Sequence, residues 1–238
     1  MASAFPCRAA GSSDLPFSQE EELIYNVRWE MISAGKARFR VNRICDINGV
    51  KARHFTLRLE SNHYIDMLYK IRDRVEGFTD TNFTRSVFYR KIQSGRDKKQ
   101  IEVHFDLKNQ TAEYSNFGGK RPAIHIPPGT FDPLSAFYKM RTLEFKPGKT
   151  LSFPVTDGKK YFIQKAVIIK KEKIKLARAL IDTYQLDLQV NHFSGAFKKS
   201  KNPGVKIWVS ADKRKIPIKI KIKVFIGSIF LELASPAP

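Results

Sequence analysis

The sequence of 238 residues contains only two cysteines, Cys7 and Cys45, and no Cys-x-x-Cys pair. Two cysteines allow one disulfide or none, and they leave the redox compartment open. No apolar run reaches the roughly 18 residues of a membrane-spanning helix, so we expect no transmembrane helix. His-Glu-x-x-His is absent and the five histidines are scattered, so the sequence predicts no metal site and no cofactor.

Acidic residues are scarce relative to basic ones: 23 Asp and Glu stand against 43 Lys and Arg, a formal net charge of +20. From residue 146 onward the chain has 20 basic and 6 acidic side chains, which is a net charge of +14. Such an excess favours acidic partners, namely nucleic acid, anionic lipid or acidic glycan. A generally basic proteome or simple solubility would explain the same charge, and this alternative stays open.

The N-terminal residues show no basic segment followed by an apolar core, so no signal peptide is predicted. The protein is then either cytoplasmic or the mature form of an exported chain. Small and polar residues predict a flexible leader over residues 1–16. We expect a single β-rich domain over residues 17–234 and a short tail over 235–238.

Alternation of apolar and polar residues is the dominant pattern, and it is typical of half-buried β-strands. It is clearest near the C-terminus, where four isoleucines and a valine alternate with a proline and three lysines. The apolar residues are Ile216, Ile218, Ile220, Ile222 and Val224, and the others are Pro217, Lys219, Lys221 and Lys223. Period two predicts a β-meander with one buried face and one basic face.

Turn signals separate the alternating segments. We expect Ser33-Ala34-Gly35 to form the turn between the first two strands, and Asp157-Gly158 to form a later hairpin turn. One helix is predicted after Asp132, which can cap its first turn, with Pro133 at the first helical position. The fold class is mainly β: an antiparallel barrel-like or strongly curved sheet of roughly eleven strands, with one short helix that plugs or covers it.

Several motifs follow one another along the chain. They are Tyr25-x-Val27-x-Trp29, Ser33-Ala34-Gly35-x-Ala37, Leu68-Tyr69-Lys70-Ile71-Arg72-Asp73-Arg74, Asp132-Pro133-Leu134-Ser135-Ala136-Phe137-Tyr138, Asp157-Gly158-Lys159-Lys160-Tyr161 and Trp208-Val209-Ser210-x-Asp212-x-Arg214-x-Ile216-Pro217. In this order the chain, from about Phe17 to Leu233, resembles the bacterial exported-protein family catalogued as domain of unknown function 3108. The resemblance implies a β-rich domain in the cell envelope after signal cleavage, and it implies no activity.

The resemblance marks six positions of unknown role. They are Trp29, Tyr69, Asp73, Asp132, Trp208 and Arg214. We interpret Asp73 as part of a structural ion pair and Asp132 as a helix cap rather than a catalytic carboxylate. The chain departs from the family at residues 176–181, where a glycine-containing turn is usual, so the geometry of this turn stays open.

The lysines of the C-terminal strands are the candidate anion-binding residues. They are Lys206, Lys215, Lys219, Lys221 and Lys223. Neighbouring lysines on one strand face stand roughly 6.8 Å apart, and at that distance they repel by only about 0.6 kcal/mol in water. Burial of the five aliphatic residues opposite contributes roughly 8–15 kcal/mol. The fold can carry this lysine face without a ligand, so we favour a solvated face over a binding site.

We expect a non-enzymatic, periplasmic or envelope protein that binds an apolar or anionic amphiphilic ligand, such as a lipid or glycan, or an envelope protein. The alternative is a nucleic-acid or polyanion binder that uses the lysine face. An enzyme has the least support, because no catalytic motif occurs and an active site would need a cleft with perturbed acids, such as Asp73, beside a histidine.

Overall fold

The computed structural model describes residues 15–47, 49–95, 98–189 and 204–234, together with the backbone of Cys7–Arg8. Most of the predicted leader and the predicted tail over 235–238 lie outside the described residues. Two α-helices are present, α1 (His63–Tyr69) and α2 (Pro133–Arg141). The remaining elements are β-strands that belong to one antiparallel sheet.

The strands of the first half of the chain follow in order. They are β1 (Cys7–Arg8), β2 (Glu22–Trp29), β3 (Ile32–Val41), β4 (Ile44–Ile47), β5 (Val50–Ser61), β6 (Arg72–Asp80), β7 (Ser86–Gln93), β8 (Lys99–Asp106) and β9 (Thr111–Asn116). The second half supplies the others. They are β10 (Gly119–Lys120), β11 (Ile124–His125), β12 (Thr150–Thr156), β13 (Tyr161–Leu176), β14 (Ala179–Leu188), β15 (Gly204–Ser210), β16 (Pro217–Lys223) and β17 (Ser228–Leu233).

The main ladder runs from β12 through β17 in chain order, then to β2, β3, β5 and on through β9. Among the described residues β12 does not pair with β9, and Phe131 forms only an isolated parallel bridge with Val155 beside that gap. Because adjacent strands twist in one direction, a ladder of this length curls round an interior. The result is a strongly curved, barrel-like sheet that is not closed.

Two short strands extend the sheet at one edge of β5. The backbone of β1 pairs with β4, and this register places Cys7 directly opposite Cys45. The distance between Cα atoms of directly opposed residues in antiparallel strands lies within the range that a disulfide spans. A count of free thiols distinguishes a bridge from two thiols.

Helix α2 occupies the interior at one end of the curved sheet. Asp132 caps it, since its Oδ1 accepts hydrogen bonds from the backbone N–H groups of Leu134 and Ser135, both at 2.9 Å. Pro133 starts the helix at a position that needs no donor. Tyr138 is fully buried and packs on Phe17 and Phe55, so the predicted plugging helix is confirmed.

Three sequence expectations need correction. The sheet has 17 strands rather than roughly eleven, because several are only two to four residues long and carry no alternation that a sequence pattern can reveal. A second helix, α1, precedes β6. The first hairpin turns at Glu30, which has φ of 49°, so Ser33-Ala34-Gly35 lies inside β3 beside a β-bulge between Val27 and Arg28.

The turn between β13 and β14, whose geometry the sequence left open, is tight. Leu176 pairs with Ala179, so Ala177 and Arg178 are the two loop residues. Ala177 adopts φ of 51°, in the left-handed region that a glycine would occupy without steric cost. The hairpin therefore forms without the glycine, at a local cost in backbone energy.

Candidate functional site

A cavity of about 850 Å³ lies inside the curved sheet, between helix α2 and the opposite end of the strands. Its walls are almost entirely aliphatic and aromatic. They include Val27, Leu57, Leu59, Val75, Phe153, Val155, Ala166, Val205, Ile207, Ile220, Ile222 and Leu231. The volume lies within the range of roughly 300–1,000 Å³ that is usual for small-molecule sites.

The inward-facing residues of the C-terminal meander form part of this wall. Ile220 and Ile222 line the cavity, as the period-two pattern requires of one strand face. Ile218 is buried as well, and so is Pro217, which begins β16. Part of the predicted buried face of this meander thus borders the cavity, while Ile216 and Ile218 pack in the hydrophobic core.

Helix α2 closes one end of the cavity. Leu134, Ala136, Phe137 and Met140 project from it into the lining. The helix can approach β6 closely because residue 77 is a glycine: a Cβ there would lie 2.7 Å from Ser135 Oγ and 2.8 Å from Asp132 Oδ1. Contacts this short do not occur, so any side chain at position 77 would push the helix away from the sheet.

The opposite end of the cavity is its mouth. Trp29, Phe225 and Ile226 line it there, and they lie on two adjacent hairpin turns, β2–β3 and β16–β17. The indole N–H of Trp29 donates to the carbonyl oxygen of Ile226 at 2.9 Å and so ties the turns together. Gly35 also lines the mouth, where a Cβ would lie 2.0 Å from the carbonyl oxygen of Glu60.

Few charged or polar residues belong to the lining. Lys36 and Glu60 occupy opposed, exposed positions on β3 and β5, whereas Ser61, at the end of β5, is buried. Gln164 lies near the start of β13 and is buried. The lining is therefore mainly apolar, with Lys36, Glu60 and Ser61 near the mouth and Gln164 in the wall.

Gln164 presents an unsatisfied acceptor in this apolar wall. Its Nε2 donates to the carbonyl oxygens of Lys165 and Gln189, at 2.9 and 3.1 Å, which fixes the orientation of the amide. Its Oε1 is buried and has no hydrogen-bond partner among the described residues. An unmade hydrogen bond of this kind costs roughly 1–3 kcal/mol, so a ligand with a donor near Oε1 would recover that energy.

A buried arginine fastens the closed end. Arg141, at the end of α2, is fully buried and forms a bidentate ion pair with Glu21, with N–O distances of 2.6 and 2.9 Å. Its guanidinium also donates to the backbone oxygens of Pro16 and Arg214. This single side chain therefore joins the N-terminal segment, the helix and the β15–β16 turn.

Asp132 has a structural role at the same end, as the sequence indicated. Besides capping α2, its Oδ2 accepts a hydrogen bond from Ser86 Oγ at 2.6 Å. Burial raises the pKa of its carboxyl to about 6, and hydrogen bonds from Ser135, Ser86 and backbone N–H groups only partly oppose this shift. Asp132 does not line the cavity, so it is not positioned to act on a molecule inside.

Asp73 does not pair with a histidine or form an ion pair with another described residue. It accepts hydrogen bonds from the Gln93 side chain and the Ser94 backbone. The acid that lies beside a histidine is Glu76, which accepts from His54 at 3.2 Å and from Arg74 at 2.8 Å. Burial raises the pKa of Glu76, but these partners outweigh it and lower the pKa to about 2. Neither acid lines the cavity.

Four of the five candidate lysines share the outer face of the C-terminal meander, and the fifth does not. Lys206 lies opposite Lys221, and Lys219 lies opposite Trp208, while Lys223 is exposed at the end of β16. Lys215 lies in the preceding turn with φ of 45°, and its Nζ donates to the Leu143 carbonyl oxygen at 2.5 Å. Its inclusion in the lysine face is therefore wrong, because the strand begins only after it.

Aromatic rings and carboxylates interrupt this lysine face. Lys219 pairs with Glu232 at 2.8 Å and lies 5.9 Å from the centre of the Trp208 ring. Lys219 and Lys221 both lie 5.4 Å from the centre of the Phe230 ring. Cation–π contacts of this kind hold the lysines on the protein surface, so their charges are partly engaged already.

The remaining positions marked by the resemblance are dispersed. Trp29 is at the cavity mouth, whereas Trp208 lies on the outer face and donates to Glu172 Oε1 at 2.8 Å. Tyr69 ends α1, and Arg214 lies in the β15–β16 turn, where its Nε contacts Asp212 at 3.2 Å. The structure therefore does not bring the six residues into one site.

Within the described ranges, no three His, Cys, Asp or Glu side chains converge on a position that could hold a metal ion. No helix among these residues is long and apolar enough to cross a bilayer.

Sequence reasoning did not identify Gln164 or Arg141 as special, and of the exposed residues of α1 it marked only Tyr69. Arg141 fell at helical spacing with Leu134 and Tyr138, and an arginine on an otherwise apolar helix face indicates a buried charge pair. Gln164 lies among the outward lysines and inward aliphatic residues of β13, and its inward position follows from the alternation. The alternation of β13 does not reveal that an open space adjoins the side chain of Gln164, and the spacing of α2 does not reveal which carboxylate pairs with Arg141.

Comparison with known proteins supports a shared fold. The sequence model of a family described as "Protein of unknown function (DUF3108)" matches residues 24–234. No curated protein matches the chain. A crystal structure of a beta-barrel-like protein of domain of unknown function DUF1849 from Brucella abortus is similar, with a TM-score of 0.57 and 8% identity over 91% of this chain and 96% of that chain. At this identity the likeness shows the fold alone.

Proposed function

We propose that this chain, which belongs to the DUF3108 family, is a non-enzymatic binding protein of the bacterial envelope that holds an apolar or anionic amphiphilic molecule inside its curved sheet. The observation that carries the proposal is the cavity of about 850 Å³, whose apolar walls extend from α2 to an open mouth. The family resemblance supports the envelope location as part of the same proposal.

The size and lining of the cavity favour a chain-like hydrocarbon. Each buried methylene contributes about 0.8 kcal/mol, so a chain of about sixteen carbons would gain roughly 12 kcal/mol. Lost translational and rotational freedom costs about 4–15 kcal/mol. If this cost is about 4 kcal/mol, the net binding free energy is about 8 kcal/mol, which corresponds to a dissociation constant on the order of micromolar.

The polar groups favour one orientation of the ligand. An amphiphile would place its hydrocarbon against α2 and its polar head near Lys36, at the mouth. Lys36 favours an anionic head, because the ammonium group that it exposes at the mouth attracts a carboxylate or phosphate. The free acceptor of Gln164 would suit a hydroxyl or amide of the same ligand.

A displacement assay tests the proposal directly. Purified, delipidated protein would be titrated with cis-parinaric acid, a fluorescent fatty acid, and native mass spectrometry would look for a bound lipid-sized mass. Ala166→Phe places a ring in the cavity and is expected to reduce affinity at least tenfold. The matched control is Ile169→Phe, because Ile169 lies on the same strand but is exposed.

Equal affinity of the two variants would show that the probe does not occupy the cavity. Absence of probe binding to the wild type, together with a chain free of co-purified mass, would refute the carrier function. The search would then turn to protein partners in the envelope.

Nucleic-acid or polyanion binding is the second candidate function. The observation in its favour is the outward position of Trp208 and Phe230 among lysines, because single-stranded bases stack on exposed rings. If this face binds nucleic acid, the affinity for a single-stranded oligonucleotide should fall steeply as the salt concentration rises. A plot of the logarithm of the association constant against the logarithm of the salt concentration should have a slope of about −0.7 per phosphate contacted. Loss of that affinity in Lys221→Glu but not in Lys175→Glu would support it, and a flat salt response would remove it.

A further inference from the structure

Large exposed hydrophobic side chains are concentrated around the cavity mouth. Of the fifteen among the described residues, nine lie on three neighbouring connections: the β2–β3 turn, helix α1 and the β16–β17 turn. We call these nine residues the apolar rim. They are Trp29, Met31, Ile32, Tyr64, Met67, Leu68, Tyr69, Phe225 and Ile226.

The three connections form one continuous surface. Trp29 on β2 pairs with Ile229 on β17 and bonds the β16–β17 turn through its indole. Asn62, which caps α1, donates through its side chain to the Ser33 carbonyl oxygen at 2.6 Å and through its backbone to Ala34 at 2.9 Å. Helix α1 is thereby held against the start of β3, beside the first hairpin.

Helix α1 is unusual because none of its residues is buried, although it contains Tyr64, Met67 and Leu68. Met31 is 87% exposed and Leu68 is 85% exposed. A contiguous apolar patch of this kind on a soluble domain marks an interaction surface. Its position round the mouth means that whatever covers the rim also faces the opening of the cavity.

The charges beside the rim indicate which partner covers it. Lys36, Lys70, Lys206 and Lys223 are exposed at this end of the sheet. Between them lie the carboxylates of Glu30 and Glu60, and the carboxylate of Asp66 is neutralised by Arg72 at 2.6 Å. Asp187, opposite Lys206, adds a third carboxylate, so four lysines against three carboxylates leave a small positive excess at this end. Aromatic and aliphatic side chains flanked by lysines are the composition of a surface that enters an anionic lipid interface.

We infer that the apolar rim docks this protein on an anionic phospholipid bilayer, with the cavity mouth facing the lipid. Trp29 and the tyrosines of α1 suit the headgroup level, where amphipathic rings are favoured. The exposed methionines and leucine would enter the upper acyl region, and the lysines would face the anionic headgroups. The inference goes beyond the proposed carrier function, and it does not require the cavity to be filled.

Vesicle co-sedimentation of the full chain tests this docking. The wild type is expected to bind vesicles of phosphatidylcholine and phosphatidylglycerol, and to bind vesicles of phosphatidylcholine alone less well. The double variant Met31→Asp/Leu68→Asp is expected to bind the anionic vesicles at least about tenfold more weakly, because two apolar contacts become charged. Both side chains are solvent-exposed, so the fold should tolerate the change, and circular dichroism would check it.

The matched control is Val50→Asp/Leu180→Asp. It adds the same two negative charges at exposed hydrophobic positions, 45% and 68% accessible, near the starts of β5 and β14 at the other end of the sheet. Docking through the rim is supported if this control binds the anionic vesicles as tightly as the wild type does, while the rim variant binds them more weakly. Equal loss in both variants would assign binding to net charge alone and overturn the proposal.

Two further outcomes would also overturn it. Wild-type protein that binds neither vesicle population has no such docking surface. A wild-type dimer that Met31→Asp/Leu68→Asp converts to a monomer, measured by multi-angle light scattering without lipid, would show that a second copy covers the rim. Probe binding by the rim variant in lipid-free solution separates this test from that of the cavity, since the variant keeps the cavity walls.

Discussion

The interior space of the sheet makes an unusual prediction about two buried alanines. Ala166 on β13 lines the cavity, whereas Ala112 on β9 is buried but absent from the lining. Replacement of each by leucine adds the same three carbon atoms. We expect Ala166→Leu to stabilise the ligand-free protein and Ala112→Leu to destabilise it.

The magnitudes follow from what each new side chain meets. Three methylene equivalents buried at about 0.8 kcal/mol each set an upper limit of about 2.4 kcal/mol for Ala166→Leu. Some of this is lost to side-chain entropy, so we expect a gain of about 1–2 kcal/mol in the free energy of unfolding. At Ala112, between Phe105 and Ile124 on adjacent strands, the added atoms have no space, and overpacking costs about 1–3 kcal/mol.

Urea denaturation of delipidated protein, followed by circular dichroism, measures both changes. For a chain of this size each kcal/mol corresponds to about 2–4 °C in the melting temperature, so thermal scans should separate the variants. Destabilisation of Ala166→Leu by as much as Ala112→Leu would refute the reasoning, because it would mean that no open space adjoins Ala166. Saturation with a cavity ligand should abolish the advantage of Ala166→Leu.

Three more predictions concern the closed end and the β13–β14 turn. The pKa of Asp132 is raised to about 6 from an ordinary value near 3.8, so the contribution of this carboxyl to the free energy of unfolding falls as the pH rises from about 4 to about 6, by about 3 kcal/mol at most. Asp132→Asn should flatten that part of the pH–stability profile. A variant profile identical to that of the wild type would contradict the shift. Arg141→Met should cost about 3–5 kcal/mol in urea denaturation by leaving the Glu21 carboxylate unpaired, and the double variant Arg141→Met/Glu21→Met should lose less than the sum of the two single changes. Ala177→Gly should stabilise the hairpin by about 0.5 kcal/mol because its φ is positive, whereas the same change at Arg178 should not.

Local patterns account for much of the fold. Alternation in residues 205–233 correctly assigned a meander with inward isoleucines, because side chains of a strand must point to opposite faces. Asp132 and Pro133 located α2, because capping depends on a few adjacent atoms. The order of the motifs also identified the family, and the match over residues 24–234 confirms it.

Features that depend on neighbours distant in sequence could not be predicted in this way. Ser33–Gly35 has the composition of a turn, but the register with β5 places Gly35 against Ser61 inside the sheet. Lys215 continues the lysine alternation in sequence, yet the chain reverses at that residue. The short strands β10 and β11 exist only because β9 provides a partner.

The sequence by itself determined the β class, the basic surface, the capped helix and the side of each long strand that faces inward. These properties arise from side-chain chemistry and from the two-residue period of the backbone. Only the tertiary structure decided that the inward faces enclose a cavity, that Gln164 keeps an acceptor there without a partner among the described residues, and that nine exposed hydrophobic residues meet at its mouth. The distance between inward faces is set by the curvature and register of the whole sheet, and no local pattern records it.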